Sequence, residues 1–313
     1  MSALLLAAAL ALGPGPGFPE VRVLPGPGVS PVVARELAGE APVILARVGR
    51  RLGLPVPAPV ELHVLAGIPV DPERRRALGL GRAPDWASGV AIPARREIWL
   101  FLDRLGIYPH RELPGLLAHE GSHLVLGAAV PPGVRVPHWY DEGLAMVVER
   151  DLSLWDQLEL ARLALFSRPI PLDELRDRWP RAARRARAAY AQSFSLVSWA
   201  EDHAPPGAAA RLVGHLRAGR SFDAAFALAY GITPVELERR WREHVLSRWL
   251  RQAVMMAGAL INGLMAGLAI LAFVLLRRRR RRKLAEWEDE EDEGSRAPIV
   301  RVAPRHGQRT EDE

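Results

Sequence analysis

Two histidines one helical turn apart, with a glutamate beside the first, stand at His119-Glu120-Gly121-Ser122-His123. On a helix, positions i and i+4 share a face, so both imidazoles reach one metal ion. Glu120 is then placed to act on a water held there. The pattern is short and also arises where a helix simply carries two surface histidines, so a third ligand decides. Glu142 lies beyond His123 with eighteen residues between them, in Trp139-Tyr140-Asp141-Glu142-Gly143-Leu144-Ala145. A helix, a turn and an antiparallel second helix would bring it back over the two histidines. Zinc in hydrolytic sites usually keeps three protein ligands and one open position. The chain has no cysteine, so disulfides and thiolate-held metals are excluded. Of nine histidines, only 119 and 123 have ligand spacing.

The elements that must position these residues follow from periodicity. Residues 21–24 and 60–65 read as strands, the second by apolar and polar alternation. Residues 32–52 have apolar positions near 3.6-residue spacing and read as an amphipathic helix, ended by the proline-rich 55–59. Residues 68–85 read as a loop or short helix. Two strand-like runs, 89–92 and 97–102, flank Pro93-Ala94-Arg95-Arg96 and predict a hairpin. The histidine-bearing helix is expected from about 111–114, since proline is tolerated in a first turn, through Gly127. Gly121 sits inside it at a local cost of about 1 kcal/mol relative to alanine, a cost that makes sense where something approaches the helix closely. A second helix is expected from 137–139 to about 150. Helices are then expected at 154–166, 172–179, 182–203, 208–218 and 222–230. A last one begins at Pro234, behind the capping-box pattern Thr233-Pro234-Val235-Glu236. A few strands followed by many helices make an α+β chain with a small N-terminal sheet and a helical C-terminal part.

Both ends are apolar. Residues 3–12 form a short apolar run before Gly13-Pro14-Gly15-Pro16-Gly17, and 1–17 is read as a secretory signal peptide, although no Lys or Arg precedes the run. A disordered or buried N-terminus is the alternative. Residues 253–276 carry no charge and suffice to span a bilayer. Seven consecutive basic residues follow, 277–283, and read as a stop-transfer run against anionic lipid headgroups. The expected division is a signal peptide at 1–17, an extracytoplasmic domain at 18–250 and a transmembrane helix at 251–276. A basic run and a disordered acidic cytoplasmic tail fill 277–313. The helix from Pro234 enters the span with almost no linker, so the domain is expected close to the membrane surface. Gly263 and Gly267 form a G-x-x-x-G that could pair helices, which leaves the oligomeric state open. The net charge is +6, nearly all from arginine, with Lys283 the single lysine. The arginines are scattered or beside the span, without an aromatic-interleaved basic patch, so nucleic acid is not an expected partner.

The ligand pattern followed by Glu142-Gly143-Leu144-Ala145 resembles the gluzincin metallopeptidases, and most of all the bacterial peptidase MA-like domains. Ala189-Tyr190-Ala191-Gln192-Ser193, Gly219-Arg220-Ser221-Phe222-Asp223 and Ala229-Tyr230-Gly231 are also similar to that group. The resemblance covers about residues 55–247. It implies a thermolysin-like catalytic domain with one Zn2+ held by His119, His123 and Glu142, and with Glu120 as general base. It further implies an edge strand beside the metal that pairs with extended peptide. Asp141 is a candidate to orient a ligand, the alternative being a helix-start residue favoured by the dipole. Tyr190 is the candidate to stabilise an oxyanion, its alternative being plain helix packing; His138 and His203 are weaker candidates.

The G-x-M-E-N segment with which the aminopeptidase relatives grip a free amine is absent, which favours an endopeptidase over an aminopeptidase. Leu126 stands where the metzincin pattern needs its glycine. The resulting expectation is a membrane-anchored zinc endopeptidase of a bacterial cell envelope. A non-catalytic peptide-binding module on the same fold is the alternative.

Overall fold

The computed structural model describes residues 17–81, 83, 85–106, 112–149, 154–166, 169–180 and 182–295. The expected signal peptide, Gly17 apart, and the tail from residue 296 lie outside the described residues, as do the two expected helix limits Arg111 and Arg150. The chain divides into two compact units, Met1–Ala253 and Val254–Glu313.

The first unit begins with β1 (Val21–Pro25), α1 (Pro31–Leu52), β2 (Val60–Leu65), α2 (Pro72–Ala77), β3 (Gly89–Ile92) and β4 (Glu97–Phe101). The strands form one sheet in the order β1-β2-β4-β3. β1 and β4 both run parallel to β2, and β3 pairs antiparallel with β4 as the expected hairpin. The hairpin turns through a short 3-10 segment, Pro93–Arg95, and closes at Arg96 in the left-handed region with φ 56. Alternation sorts the two faces. Val60, Leu62, Val64, Ile98 and Leu100 pack with Leu37 and Leu45 of α1 and with Leu116 and Leu117. Trp99 and Phe101 point the other way and are covered by Leu80. β3 is left as an edge.

Helices complete the unit: α3 (Leu113–Ala129), α4 (His138–Glu149), α5 (Leu154–Phe166), α6 (Glu174–Asp177), α7 (Ala183–His203), α8 (Ala208–Arg217) and α9 (Phe222–Tyr230), with α10 (Pro234–Ser295) following. The segment expected as a helix over 172–179 is reduced to the single turn of α6. Two glycines set the helix spacing. A Cβ on Gly121 would lie 2.6 Å from Leu45 Cδ2, so the close approach inferred at this residue is made by α1. A Cβ on Gly143 would lie 2.5 Å from the Ser193 carbonyl oxygen and 2.6 Å from Val197 Cγ2, which brings α4 against the backbone of α7. The largest core cluster lies among the helices, around Trp139, Tyr140, Phe222, Phe226 and Trp241. Trp241 of α10 is fully buried and donates its indole N–H to Ser195 Oγ at 3.0 Å. At the start of α10, Thr233 Oγ1 accepts from the Glu236 amide at 3.2 Å. Only half of the expected capping box forms, because the Glu236 carboxylate is taken by Arg239 and Arg240.

In the second unit Val254–Lys283 is a helix of 30 residues containing an 18-residue stretch of mean hydropathy 2.4, long and apolar enough to cross a membrane. The helix was expected to end near 276, with disorder from Glu286; instead it continues to Ser295. Arg, Lys, Leu, Ala and Glu all favour helix, so the charged runs end the apolar stretch without ending the helix. The protein is thus α+β and mostly helical, with one small sheet and one apolar C-terminal helix.

Candidate metal centre

α3 places His119 and His123 one turn apart on the face turned away from α1. α4 returns antiparallel and lays Glu142 across them. His119 Nε2 and His123 Nε2 are 3.2 Å apart, and Glu142 Oε2 lies 3.4 Å from the first and 3.6 Å from the second. These three separations are the edges of a ligand triangle. Four ligands at the usual zinc distances of about 2.0–2.1 Å in a tetrahedron would be about 3.3–3.4 Å apart. Among the described residues Glu142 Oε2 is buried without a hydrogen-bond partner, a costly condition that a cation would relieve. All three ligand atoms fall within 4.8 Å of one another. The residues therefore fit a small divalent ion.

The far side of each imidazole is also fixed. His119 Nδ1 donates to Glu149 Oε2 at 3.0 Å, and His123 Nδ1 donates to Asp141 Oδ1 at 2.9 Å. With Nδ1–H committed, both rings turn the Nε2 lone pair inward, the arrangement that metal-binding histidines need. Asp141 thus orients the ring of His123, a candidate ligand. Glu149 was missed; it lies seven residues beyond Glu142, two turns along the same face of α4, and that spacing is the signal that could have found it.

The electrostatics reflect four carboxylates around two imidazoles. Burial disfavours the His119 imidazolium, but Glu142 and Glu149 override it and raise its pKa to about 9. For His123 burial is likewise overridden, here chiefly by Asp141, and the pKa rises well above the usual value. Burial pushes Glu142 up, yet the two facing imidazoles pull it below the ordinary carboxylate range. Glu120 is buried and its pKa is raised, burial outweighing the attraction of His123 and His119.

The centre opens into a cleft of 1470 Å3 lined on one side by β3 (Gly89, Val90, Ala91, Ile92) and on the other by α3, α4 and Tyr190. Glu120 faces the edge strand so closely that a Cβ on Gly89 would lie 2.7 Å from its Oε1. His138, at the first position of α4, and Tyr190, on α7, both line the cleft. Tyr190 also packs with Met146, Phe194 and Trp179. His203 does not belong to the site: its Nδ1 donates to the Trp199 carbonyl at 2.8 Å and its ring stacks on Trp199. A histidine at the end of a helix finds a carbonyl one turn back, and that local bond accounts for it.

A second group with ligand atoms this close is Glu61, His63 and Glu97, on the sheet face away from α1. There Glu97 is already held by Arg95 at 2.8 Å and by the Trp99 indole at 3.0 Å, and the His63 ring stacks on Trp99 at 3.9 Å. It is an ion ladder across neighbouring strands.

The three candidate ligands, Glu120 and the cleft all lie within residues 53–247, the stretch matched by the family model of the peptidase MA superfamily. No curated protein matches the chain. Because the matched stretch is more than half of the chain and contains the whole His-Glu-His-Glu arrangement, the protein belongs to the peptidase MA superfamily.

Proposed function

We propose that the protein is a membrane-anchored, zinc-dependent endopeptidase with a thermolysin-like catalytic domain. The observation that carries this reading is the ligand triangle of 3.2, 3.4 and 3.6 Å beside a buried glutamate, in a cleft walled by a free strand edge. Bound by His119, His123 and Glu142, zinc supplies Lewis acidity toward the scissile carbonyl and lowers the pKa of a water to about 7. Asp141 and Glu149 hold the two imidazoles in register. Glu120, raised by burial, takes the proton of the attacking water and returns it to the departing amine. Tyr190 donates its phenol to the oxyanion. The edge of β3, unpaired among the described residues, binds extended substrate through backbone hydrogen bonds, which favours a peptide over a small molecule.

Endopeptidase action is favoured over aminopeptidase action by the cleft's charges. Among the described residues that line it, the carboxylates are Glu120, Asp141 and Glu142, all engaged at the metal centre. None remains to hold a free amino terminus. Anchoring rests on the Val254–Lys283 helix, and the basic run after it, together with the expected signal peptide, favours an extracytoplasmic catalytic domain.

Glu120→Gln tests the reading. The variant is expected to retain stoichiometric zinc and to lose peptide hydrolysis; undiminished turnover would remove Glu120 from the role of base.

A further inference from the structure

We infer that Trp86, Trp179 and Tyr190 form a subsite of the cleft that receives a large apolar side chain, aromatic by preference, from a substrate residue flanking the scissile bond. This rests on the peptidase reading and specifies its substrate.

The three rings come from separate stretches of chain and meet only here. Tyr190 and Trp179 have centroids 4.9 Å apart at 66°, and Trp86 meets Tyr190 at 6.5 Å and 87°. His138 continues the row, 6.3 Å from Trp179. The row is tied to the metal centre at both ends. His138 stands one helical turn before the ligand Glu142, and Trp86 stands three residues before Gly89, which abuts Glu120. All four side chains line the same cleft as His119, Glu120 and His123. The aromatic wall therefore curves around the place where a scissile bond would lie.

Core packing accounts for part of this wall only. Tyr190 is buried against Met146 and Phe194. Trp86 is 43% exposed, belongs to no hydrophobic cluster among the described residues, and has its ring contact with Tyr190. Trp179 is half-buried. Near-perpendicular contacts leave ring faces available to a further aromatic group, for which edge-to-face packing is favourable. The neighbouring lining residues Ala83, Ala87, Val90 and Pro180 are small or apolar. Among the described residues the one arginine of the lining, Arg96, is past the far end of β3 and donates to the Ala58 carbonyl. Cationic side chains could also lie on these faces, and the test separates them.

The full-length chain in lipid nanodiscs, zinc-loaded, is incubated with a diverse peptide library and cleavage sites are read by mass spectrometry. Wild type is expected to enrich Phe, Tyr, Trp or Leu at one position beside the cleaved bond. Trp86→Ala and Trp179→Ala are expected to lower kcat/KM about 10-fold for a phenylalanine substrate and to change it less than about 3-fold for the alanine analogue. In parallel, the Glu120→Gln chain is titrated with N-acetylphenylalanine amide, N-acetyllysine amide and N-acetylalanine amide by saturation-transfer NMR. Selective binding of the phenylalanine amide, lost in the two tryptophan variants, supports the subsite even if no peptide is cut; the peptidase reading alone would then fall. The subsite is overturned by cleavage without side-chain preference, by lysine or arginine enrichment, by a profile unchanged in both variants, or by equal or no binding of the three amides.

Discussion

Gly89→Ala places one methyl group between the edge strand and the base. The built Cβ lies 2.7 Å from both Cγ and Oε1 of Glu120 and 2.9 Å from its Cδ, where 3.4 Å or more is ordinary contact. Something must move by about 0.7 Å. The strand is poorly able to yield, since it is paired with β4 from Gly89 to Ile92 and Phe101 N–H holds the preceding Ser88 carbonyl at 2.8 Å. The α3 backbone is pinned from behind, where Leu45 fills the space over Gly121. The Glu120 side chain is left to rotate away. Gly89 has no positive φ, so alanine brings no backbone strain and the effect is steric alone. Catalytic groups must be held within about 0.5 Å, and a misplacement of about 1 Å can cost about 10²-fold. Gly89→Ala should lower kcat about 30- to 100-fold, or about 2–2.7 kcal/mol in the barrier. KM should stay within about threefold and zinc content should not change, because neither the ligands nor the far cleft wall moves. The assay is steady-state kinetics on one peptide with zinc measured on the same samples. A kcat within threefold of wild type would refute the reasoning, since Glu120 would then not act from the position it occupies against β3.

Three further outcomes follow from other contacts. Glu149→Ala removes the acceptor of His119 Nδ1–H and should weaken zinc binding about 10- to 100-fold, read by competition with a chelator; unchanged affinity would mean that His119 is oriented by packing alone. Tyr190→Phe keeps the ring against Trp179 and should lower kcat up to about 10²- to 10³-fold without altering zinc content or thermal stability; full activity would return Tyr190 to a packing role. The half-buried Glu201 accepts from Tyr230, and burial raises its carboxyl above the usual range. Its stabilising protonated form is fully present below the unfolded pKa of about 4.5 and is lost as pH rises through the higher folded value. Melting temperatures of wild type should therefore fall over that window relative to those of Glu201→Gln, and parallel curves would show that Glu201 carries no such linkage.

Much of the centre was legible because its logic is local. The i, i+4 histidines, Glu120 and the return of Glu142 on an antiparallel helix depend on helix geometry and chain length, and α3 and α4 supply both. Asp141 was legible for the same reason, as the neighbour of Glu142. What escaped the sequence depends on contacts between distant segments. Glu149 is two further turns along α4 and needs the tilt of that helix to be known before its carboxylate can be set behind His119. Trp86 and Trp179 are 93 residues apart and carry no periodic signal. His203 resembled a candidate only while its own helix carbonyl was out of view.

Glycine spacing links the fold to the chemistry. Gly121 follows Glu120 and Gly143 follows Glu142. Each lies where a neighbouring helix comes closer than a Cβ allows, α1 over Gly121 and α7 over Gly143. Gly89 lets the third approach occur, on the cleft side of Glu120. α3 is thus gripped between α1 and the sheet edge, and α4 between α3 and α7. Interiors packed at crystal-like density transmit small displacements instead of absorbing them. The ligand triangle can hold separations of 3.2 to 3.6 Å from two different helices because neither helix has room to slide. A glycine inside H-E-x-x-H, costly to the helix by itself, fixes the relation between α1 and α3 on which that triangle depends.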